Sequence, residues 1–180
     1  MSTESAFKYS ILASGSTGNS FYLETPEKKI LVDAGLSGKK IESLLGEIDR
    51  DIKDVDALLI THEHSDHIKG IGVLARKHGI QLYANELTWQ ELDSKNSLGK
   101  IASEQKHIFE MGKTKTFGDI DVESFGVSHD AIAPQFYRFM KDNKSFVLLT
   151  DTGYVSDRMR GTIENADGYL MESNHDIEIL

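Results

Sequence analysis

At residues 61–67 the chain reads Thr61-His62-Glu63-His64-Ser65-Asp66-His67, which places three histidines within seven positions. The apolar run Ala57–Ile60 precedes this stretch and predicts a short buried strand. An amphipathic helix is predicted to begin near Ile68, and Gly79 is expected to end it. The histidines therefore lie on a loop that leads from a strand into a helix.

This loop has the ligand types and the spacing of a metal site. In an extended loop His62 and His64 project to the same side and can hold one metal ion. Asp66 and His67, at the turn into the helix, can hold a second ion. Imidazole and carboxylate ligands suit Zn²⁺, Mn²⁺ or Fe²⁺.

The composition limits the class of protein. The chain has 180 residues, a mass of 20.1 kDa and 39% hydrophobic residues, which is enough for one packed domain. Its 20 basic and 29 acidic residues give a net charge of −9, so the chain as a whole does not attract nucleic acid. Any anionic substrate must therefore be held by local positive charge, and metal ions rather than lysine or arginine are the expected source.

Cysteine is absent, which excludes a disulfide scaffold, a Cys-ligated zinc finger, a cysteine nucleophile and the zinc β-lactamases that use a cysteine ligand. No apolar run approaches the ~20 residues of a membrane span. The first twenty residues contain no continuous apolar core, so no export signal is predicted. These features predict a cytoplasmic protein with no membrane segment, and they leave its oligomeric state open.

Strands and helices alternate around the histidine loop in a mixed order. This order predicts two mixed sheets packed face to face with helices outside. The polar stretch 94–106 is a predicted mobile insertion. The chain stops without a closing element, so a single domain over 1–180 with a missing C-terminal part is expected. Strands are predicted at 7–13, 21–23, 30–32, 57–60, 80–84, 107–110, 119–126, 135–141, 145–149 and 169–171.

Four motifs carry a resemblance to a known family. His62-x-His64-x-Asp66-His67 resembles the H-x-H-x-D-H signature of the metallo-β-lactamase superfamily. Leu31–Gly35, Val127–Asp130 and Leu149–Gly153 are similar to its other aspartate and histidine motifs, in the same order. The resemblance implies an α+β fold, a four-layer αββα sandwich of two mixed β-sheets with metals at one edge.

Two further stretches, Ser14–Ser20 and Met171–Asp176, resemble the WalJ/YycJ/VicX group of the superfamily. That group is similar to nucleases and phosphodiesterases, and it is encoded beside an essential two-component signalling system in Gram-positive bacteria. The resemblance therefore implies DNA as substrate and a functional link to that system.

The resemblance also implies a ligand set. His62, His64 and His129 would hold the first metal, Asp66 and His67 the second, and Asp151 would bridge them. The superfamily supplies one more histidine from a C-terminal motif, and no match to that motif occurs before residue 180. We therefore expect two divalent ions, with the second position weak in this chain.

Other residues receive supporting roles. Asp66 and Asp151 count as catalytic as well as metal-binding, and Glu172 stands where related phosphodiesterases place an acid/base glutamate. Asp33 is expected to orient a ligand histidine by a hydrogen bond. The loop around Ser16, Gly18, Asn19 and Ser20 offers backbone N–H groups that could cradle a phosphate.

These features predict a metal-dependent hydrolase, first of all a phosphodiesterase or DNA exonuclease that uses a metal-bound hydroxide and acts in DNA repair. A hydrolase of small esters or thioesters, of the glyoxalase II type, is the alternative enzyme. A third interpretation is a regulatory partner of a two-component system whose metal site is mainly structural.

Overall fold

The computed structural model describes residues 8–126, 135–150, 168–172 and 178–179, the last two strands and Leu149–Thr150 as backbone only. Twelve strands form two six-stranded sheets in this part of the chain. The first sheet has the order β1-β2-β3-β4-β5-β6. Its strands are Lys8–Ala13, Ser20–Glu24, Lys29–Val32, Ala57–Leu59, Gln81–Ala84 and Lys106–Ile108.

The second sheet has the order β12-β11-β10-β9-β8-β7. Its strands in chain order, from β7 to β12, are Thr114–Phe117, Ile120–Gly126, Gln135–Lys141, Lys144–Thr150, Gly168–Glu172 and Glu178–Ile179. Both sheets are mixed. In the first sheet the β1–β2 and β2–β3 pairs are antiparallel, and the pairs from β3 to β6 are parallel. Among the described strands of the second sheet, only the β10–β11 pair is parallel.

Four helices, α1 Gly38–Glu47, α2 Ser65–Ile68, α3 Ile71–His78 and α4 Glu86–Ser94, follow strands of the first sheet. The sequence predicts one helix that begins near Ile68 and continues to Gly79. The structure breaks it at Lys69–Gly70, because the Gly70 N–H bonds to Ala34 O at 2.7 Å instead of continuing the helix. The helix α3 ends as expected at Gly79, which has the left-handed φ of 69°.

Alternating side chains of the first sheet face two different cores. In β4, Leu58 points to the helices and Leu59 points to the second sheet, and both are fully buried. The helix-side core contains Ile41, Leu45, Leu74 and Trp89, and the core between the sheets contains Phe21, Phe139, Phe146 and Leu148. The described residues therefore form helix, sheet and sheet layers. The spacing of Val155, Met159 and Ile163 predicts a further helix, which lies outside the described residues.

The predicted strands are present within a few residues of their expected bounds, and two more, Thr114–Phe117 and Glu178–Ile179, were missed. Thr114–Phe117 pairs antiparallel with β8 but has only one apolar residue, so it lacks a strand pattern. The polar stretch 94–106 is attached to the domain, since Leu98 lies in the helix-side core and Arg76 Nη1 donates to Leu98 O. Its mobility stays a prediction. No helix of the described residues is long and apolar enough to cross a membrane.

Candidate metal centre

The histidine loop lies where β4 ends and α2 begins, at the edge between the two sheets. The His62 and His67 side chains are fully buried, whereas His64 is half-buried. The ring centroid of His62 lies 4.8 Å from that of His64 and 4.0 Å from that of His67. Three imidazoles are thus gathered at one place, because the chain turns sharply from the strand into the helix.

Asp33 lies directly beneath this cluster. It follows β3, and its φ of 60° is left-handed, a conformation that Asp tolerates better than most residues. Its carboxylate accepts from the Thr61 N–H at 2.9 Å and from the Thr61 hydroxyl at 2.6 Å. Its Oδ2 also lies 2.6 Å from His67 Nδ1. A carboxylate accepts hydrogen bonds here, so Nδ1 carries the proton and Nε2 keeps the lone pair that a metal needs.

Asn19 braces the other predicted ligand of the second metal. Its side-chain amide donates to Asp66 Oδ2 at 3.0 Å, and its backbone N–H donates to Asp66 O at 2.8 Å. The hydroxyl of Ser20 donates to Asp33 O at 2.8 Å. The side chains of Asn19 and Ser20 are buried and form hydrogen bonds with other groups of the protein. Of the other two residues of this loop, Ser16 is exposed and Gly18 is buried. Phosphate binding by this loop stays a prediction.

Gly35 is required by how closely these segments approach. A Cβ at this position would lie 1.8 Å from Asp66 O and 2.6 Å from Asn19 N, so no other residue fits without separating them. The Gly35 N–H also donates to Asn19 O at 2.9 Å. The motif that begins at Leu31 thus joins the two loops that carry Asn19 and Asp66.

A buried polar network that sequence reasoning missed ties the histidine loop to the second sheet. The Tyr137 hydroxyl donates to Ile60 O at 2.7 Å, and the Gln135 N–H donates to Thr61 O at 2.9 Å. The Gln135 side chain donates to Phe109 O and to the Tyr137 hydroxyl, and it accepts from Asn85. Burial raises the pKa of Tyr137 far above its ordinary value, so its hydroxyl stays a donor.

Two histidines outside the loop have local partners. His78 Nε2 lies 2.5 Å from Glu42 Oε1, which joins α3 to α1. The hydrogen bond from His78, followed by that from Lys77, lowers the pKa of Glu42. His107 stacks on Tyr83 and contacts Gln81. These contacts agree with structural roles for both histidines.

Within the described residues, no group of three or more His, Asp or Glu side chains is already arranged to hold a metal ion. The donor set nevertheless fits one in chemistry, with imidazoles and the Asp66 carboxylate collected at one sheet edge. Two predicted ligands, His129 and Asp151, lie outside the described residues, as does the Glu172 side chain. All six ligand assignments and the role of Glu172 therefore stay predictions.

Two six-stranded sheets face to face, helices outside and a histidine loop at their edge define the metallo-β-lactamase fold. Similarity to solved structures confirms this class: the metallo-β-lactamase fold protein YhfI from Bacillus subtilis matches with a TM-score of 0.73 at 19% identity, over 89% of this chain and 68% of that one. The beta-lactamase superfamily domain matches residues 28–178, and the chain belongs to that family.

Curated relatives are much more similar in sequence. Exodeoxyribonuclease WalJ of Streptococcus pneumoniae is 78% identical over 99% of this chain and 66% of its own length. Exodeoxyribonuclease YycJ of Bacillus anthracis is 58% identical over 96% of this chain and 64% of its own length. The chain thus spans about two thirds of the length of these relatives.

Proposed function

We propose that this protein is a metal-dependent phosphodiesterase that degrades DNA as an exonuclease. The observation that carries the proposal is the histidine loop, held by buried hydrogen bonds at the sheet edge in a chain that is 78% identical to an exodeoxyribonuclease. The phosphodiester substrate is favoured over a small ester or thioester because two exonucleases are among the relatives that match almost the whole chain.

We assign His62, His64 and His129 to one divalent ion, Asp66 and His67 to a second, and Asp151 to both. Divalent ions bound there would supply Lewis-acid activation of water and neutralise charge that develops on the phosphate oxygens. Zn²⁺, Mn²⁺ and Fe²⁺ all suit these ligands, and the second position is expected to be weaker in this chain. Glu172 remains our candidate for proton transfer to the leaving oxygen.

The protein's own contribution is to orient the ligands before a substrate arrives. Asp33 fixes the tautomer of His67 through the 2.6 Å contact to Nδ1. Asn19 holds the Asp66 carboxylate, and Tyr137 holds the strand end before His62. Because these supports are buried, the imidazoles do not need to reorganise when they act.

The test is cleavage by the complete protein of labelled single-stranded DNA, duplex DNA and RNA, with a thioester panel beside them. Cleavage of DNA should need added Mn²⁺ or Zn²⁺ and should stop with a chelator. Asp151→Ala should abolish cleavage, whereas His78→Ala, at the remote end of α3, should retain it. Chelator-resistant cleavage, or Asp151→Ala at the parent rate, would refute the two-metal assignment. Thioester turnover without DNA cleavage would support the alternative enzyme instead.

The cellular setting is also part of the proposal. Resemblance to the WalJ/YycJ/VicX group supports a cytoplasmic role in DNA repair with a functional link to a two-component system. A regulatory partner with a mainly structural metal would be indicated if the complete, metal-loaded protein cleaved none of these substrates.

A further inference from the structure

Three segments pack together beside the histidine loop and form one surface. A Cβ on Gly70 would lie 2.3 Å from Leu36 O and 3.0 Å from Gly38 N, so the end of α2 touches the start of α1. A Cβ on Gly18 would lie 2.4 Å from Leu36 Cδ2, so the loop before β2 touches the same residue. We call this surface the lysine patch, and its exposed residues are Ser16, Thr17, Lys39, Lys40 and Lys69.

The lysine patch borders the candidate metal centre directly. Lys69 lies two positions after His67 in the chain. The Ala34 N–H donates to His67 O at 2.9 Å, and the segment continues from there through Gly35 and Leu36 into the patch. A polymer whose scissile bond is at the histidine loop would therefore pass over these lysines if it left the site on this side.

The lysines of the patch differ in ion pairing from other lysines of the described residues. None of Lys39, Lys40 and Lys69 has an ion-pair partner in the part of the chain that the structure describes. Other lysines do have partners, as Lys77 pairs with Glu42 at 3.1 Å and Lys106 pairs with Asp93 at 2.8 Å.

Folding alone does not favour this placement. The first turn of α1 contains no acidic residue, and two lysines there oppose the helix dipole. In a chain with a net charge of −9, three neighbouring cations that have no acidic partner among the described residues concentrate positive charge at one flank of the site.

We propose that the lysine patch binds the phosphate backbone of a DNA strand next to the scissile bond. This inference rests on the proposed function and adds the path of the substrate. Lysines and hydroxyls contact phosphates but do not read bases, so binding should be independent of sequence. The local charge of this patch also explains how an acidic chain holds a polyanion.

The test is the binding of a fluorescent single-stranded DNA of mixed sequence to the complete protein without divalent metal, measured by anisotropy over a salt series. Each phosphate contact with a single strand contributes about 0.7 to the slope of log K against log salt. The triple variant Lys39→Gln/Lys40→Gln/Lys69→Gln should lose about 2 units of slope. Between 50 and 200 mM salt, the parent should then lose roughly twentyfold more affinity than the variant.

The matched control changes three exposed lysines at the opposite edge, as Lys8→Gln/Lys53→Gln/Lys144→Gln. This control alters net charge equally and should keep the parent slope. Equal slopes for the parent and the patch variant, or equal losses in both triple variants, would overturn the proposal.

Hydrolysis of bis(p-nitrophenyl) phosphate by the metal-loaded parent tests the proposed function separately, since binding is measured without catalysis. A patch-dependent slope with no hydrolysis of this ester or of DNA would support the lysine patch and count against the nuclease assignment.

Discussion

Replacing Asp33 by Asn tests whether this residue determines which nitrogen of His67 is available to a metal. Asp33 Oδ2 lies 2.6 Å from His67 Nδ1 and accepts a hydrogen bond from it. In the variant, an amide NH₂ at that position would donate to Nδ1 and force the proton onto Nε2. The amide oxygen would still accept from the Thr61 N–H, whose nitrogen lies 2.9 Å from Asp33 Oδ1 in the parent. The substitution therefore reverses the two hydrogen bonds at Oδ2, those with His67 Nδ1 and with the Thr61 hydroxyl, and keeps the shape.

The expected magnitudes separate the two effects. Loss of a partner that orients a ligand histidine costs about 10- to 100-fold in metal affinity. Stability should fall by only about 1 kcal/mol, because charge-assisted hydrogen bonds of about 1.5–3 kcal/mol become neutral ones. Asn also tolerates the left-handed φ of 60° at this position. Asp33→Ala should lose more stability, about 3 kcal/mol, since it leaves buried Thr61 donors unsatisfied.

The assay combines three measurements on the complete protein. Competition with a chelator gives metal affinity, urea unfolding gives stability, and ¹⁵N NMR of the His67 ring gives the tautomer. Asp33→Asn should show a protonated Nε2, weak metal binding and nearly intact stability. If the variant binds metal as tightly as the parent, or if Nδ1 stays protonated, the tautomer argument is refuted.

Three further predictions concern the supports of the site and the pH dependence of stability. Tyr137→Phe should lower the free energy of unfolding by about 1 kcal/mol and weaken metal binding severalfold. The control Tyr22→Phe should leave metal binding unchanged. Equal metal affinities in the two variants would contradict this prediction. Gly35→Ala should lower the free energy of unfolding, measured in urea, by about 3 kcal/mol. A decrease no larger than the experimental error would show that the two loops separate easily. The hydrogen bond from His78 lowers the pKa of Glu42, so the ionised Glu42 stabilises the fold above about pH 4.5, and this stabilisation is lost as pH falls through the folded-state pKa. Glu42→Gln should therefore make the loss of stability at acid pH shallower. An unchanged dependence of stability on pH would show that the Glu42–His78 pair does not contribute.

The parts of the site that lie close together in sequence could be predicted from it. The run His62–His67 contains four of the six candidate ligands within six residues, so spacing alone indicates the loop. Asp33 was expected to contact a ligand histidine, and the structure places its carboxylate against His67. That His67 holds a metal stays a prediction, because the remaining assigned ligands His129 and Asp151 lie outside the described residues.

The remaining features depend on contacts between distant segments, which local patterns do not encode. The Tyr137 hydroxyl reaches Ile60 O across 77 positions, and in the sequence Tyr137 looks only like a buried strand residue. The helix break at Gly70 has the same origin, since its N–H is taken by Ala34 O of another segment. Apolar periodicity predicts which face of a strand or helix is buried, but it does not predict which polar group of a distant segment that face will contact.

The histidine loop is supported from both sheets by residues that need not touch a metal themselves. Asp33 and Asn19, on the first-sheet side, hold His67 and Asp66, while Tyr137 on the second sheet holds the strand end before His62. Each bond satisfies a buried polar group that would otherwise cost about 1–3 kcal/mol, so these bonds favour a single loop arrangement. The same interactions that stabilise the fold at this edge therefore orient the candidate ligands, and the cost of ordering them is met during folding rather than during metal binding.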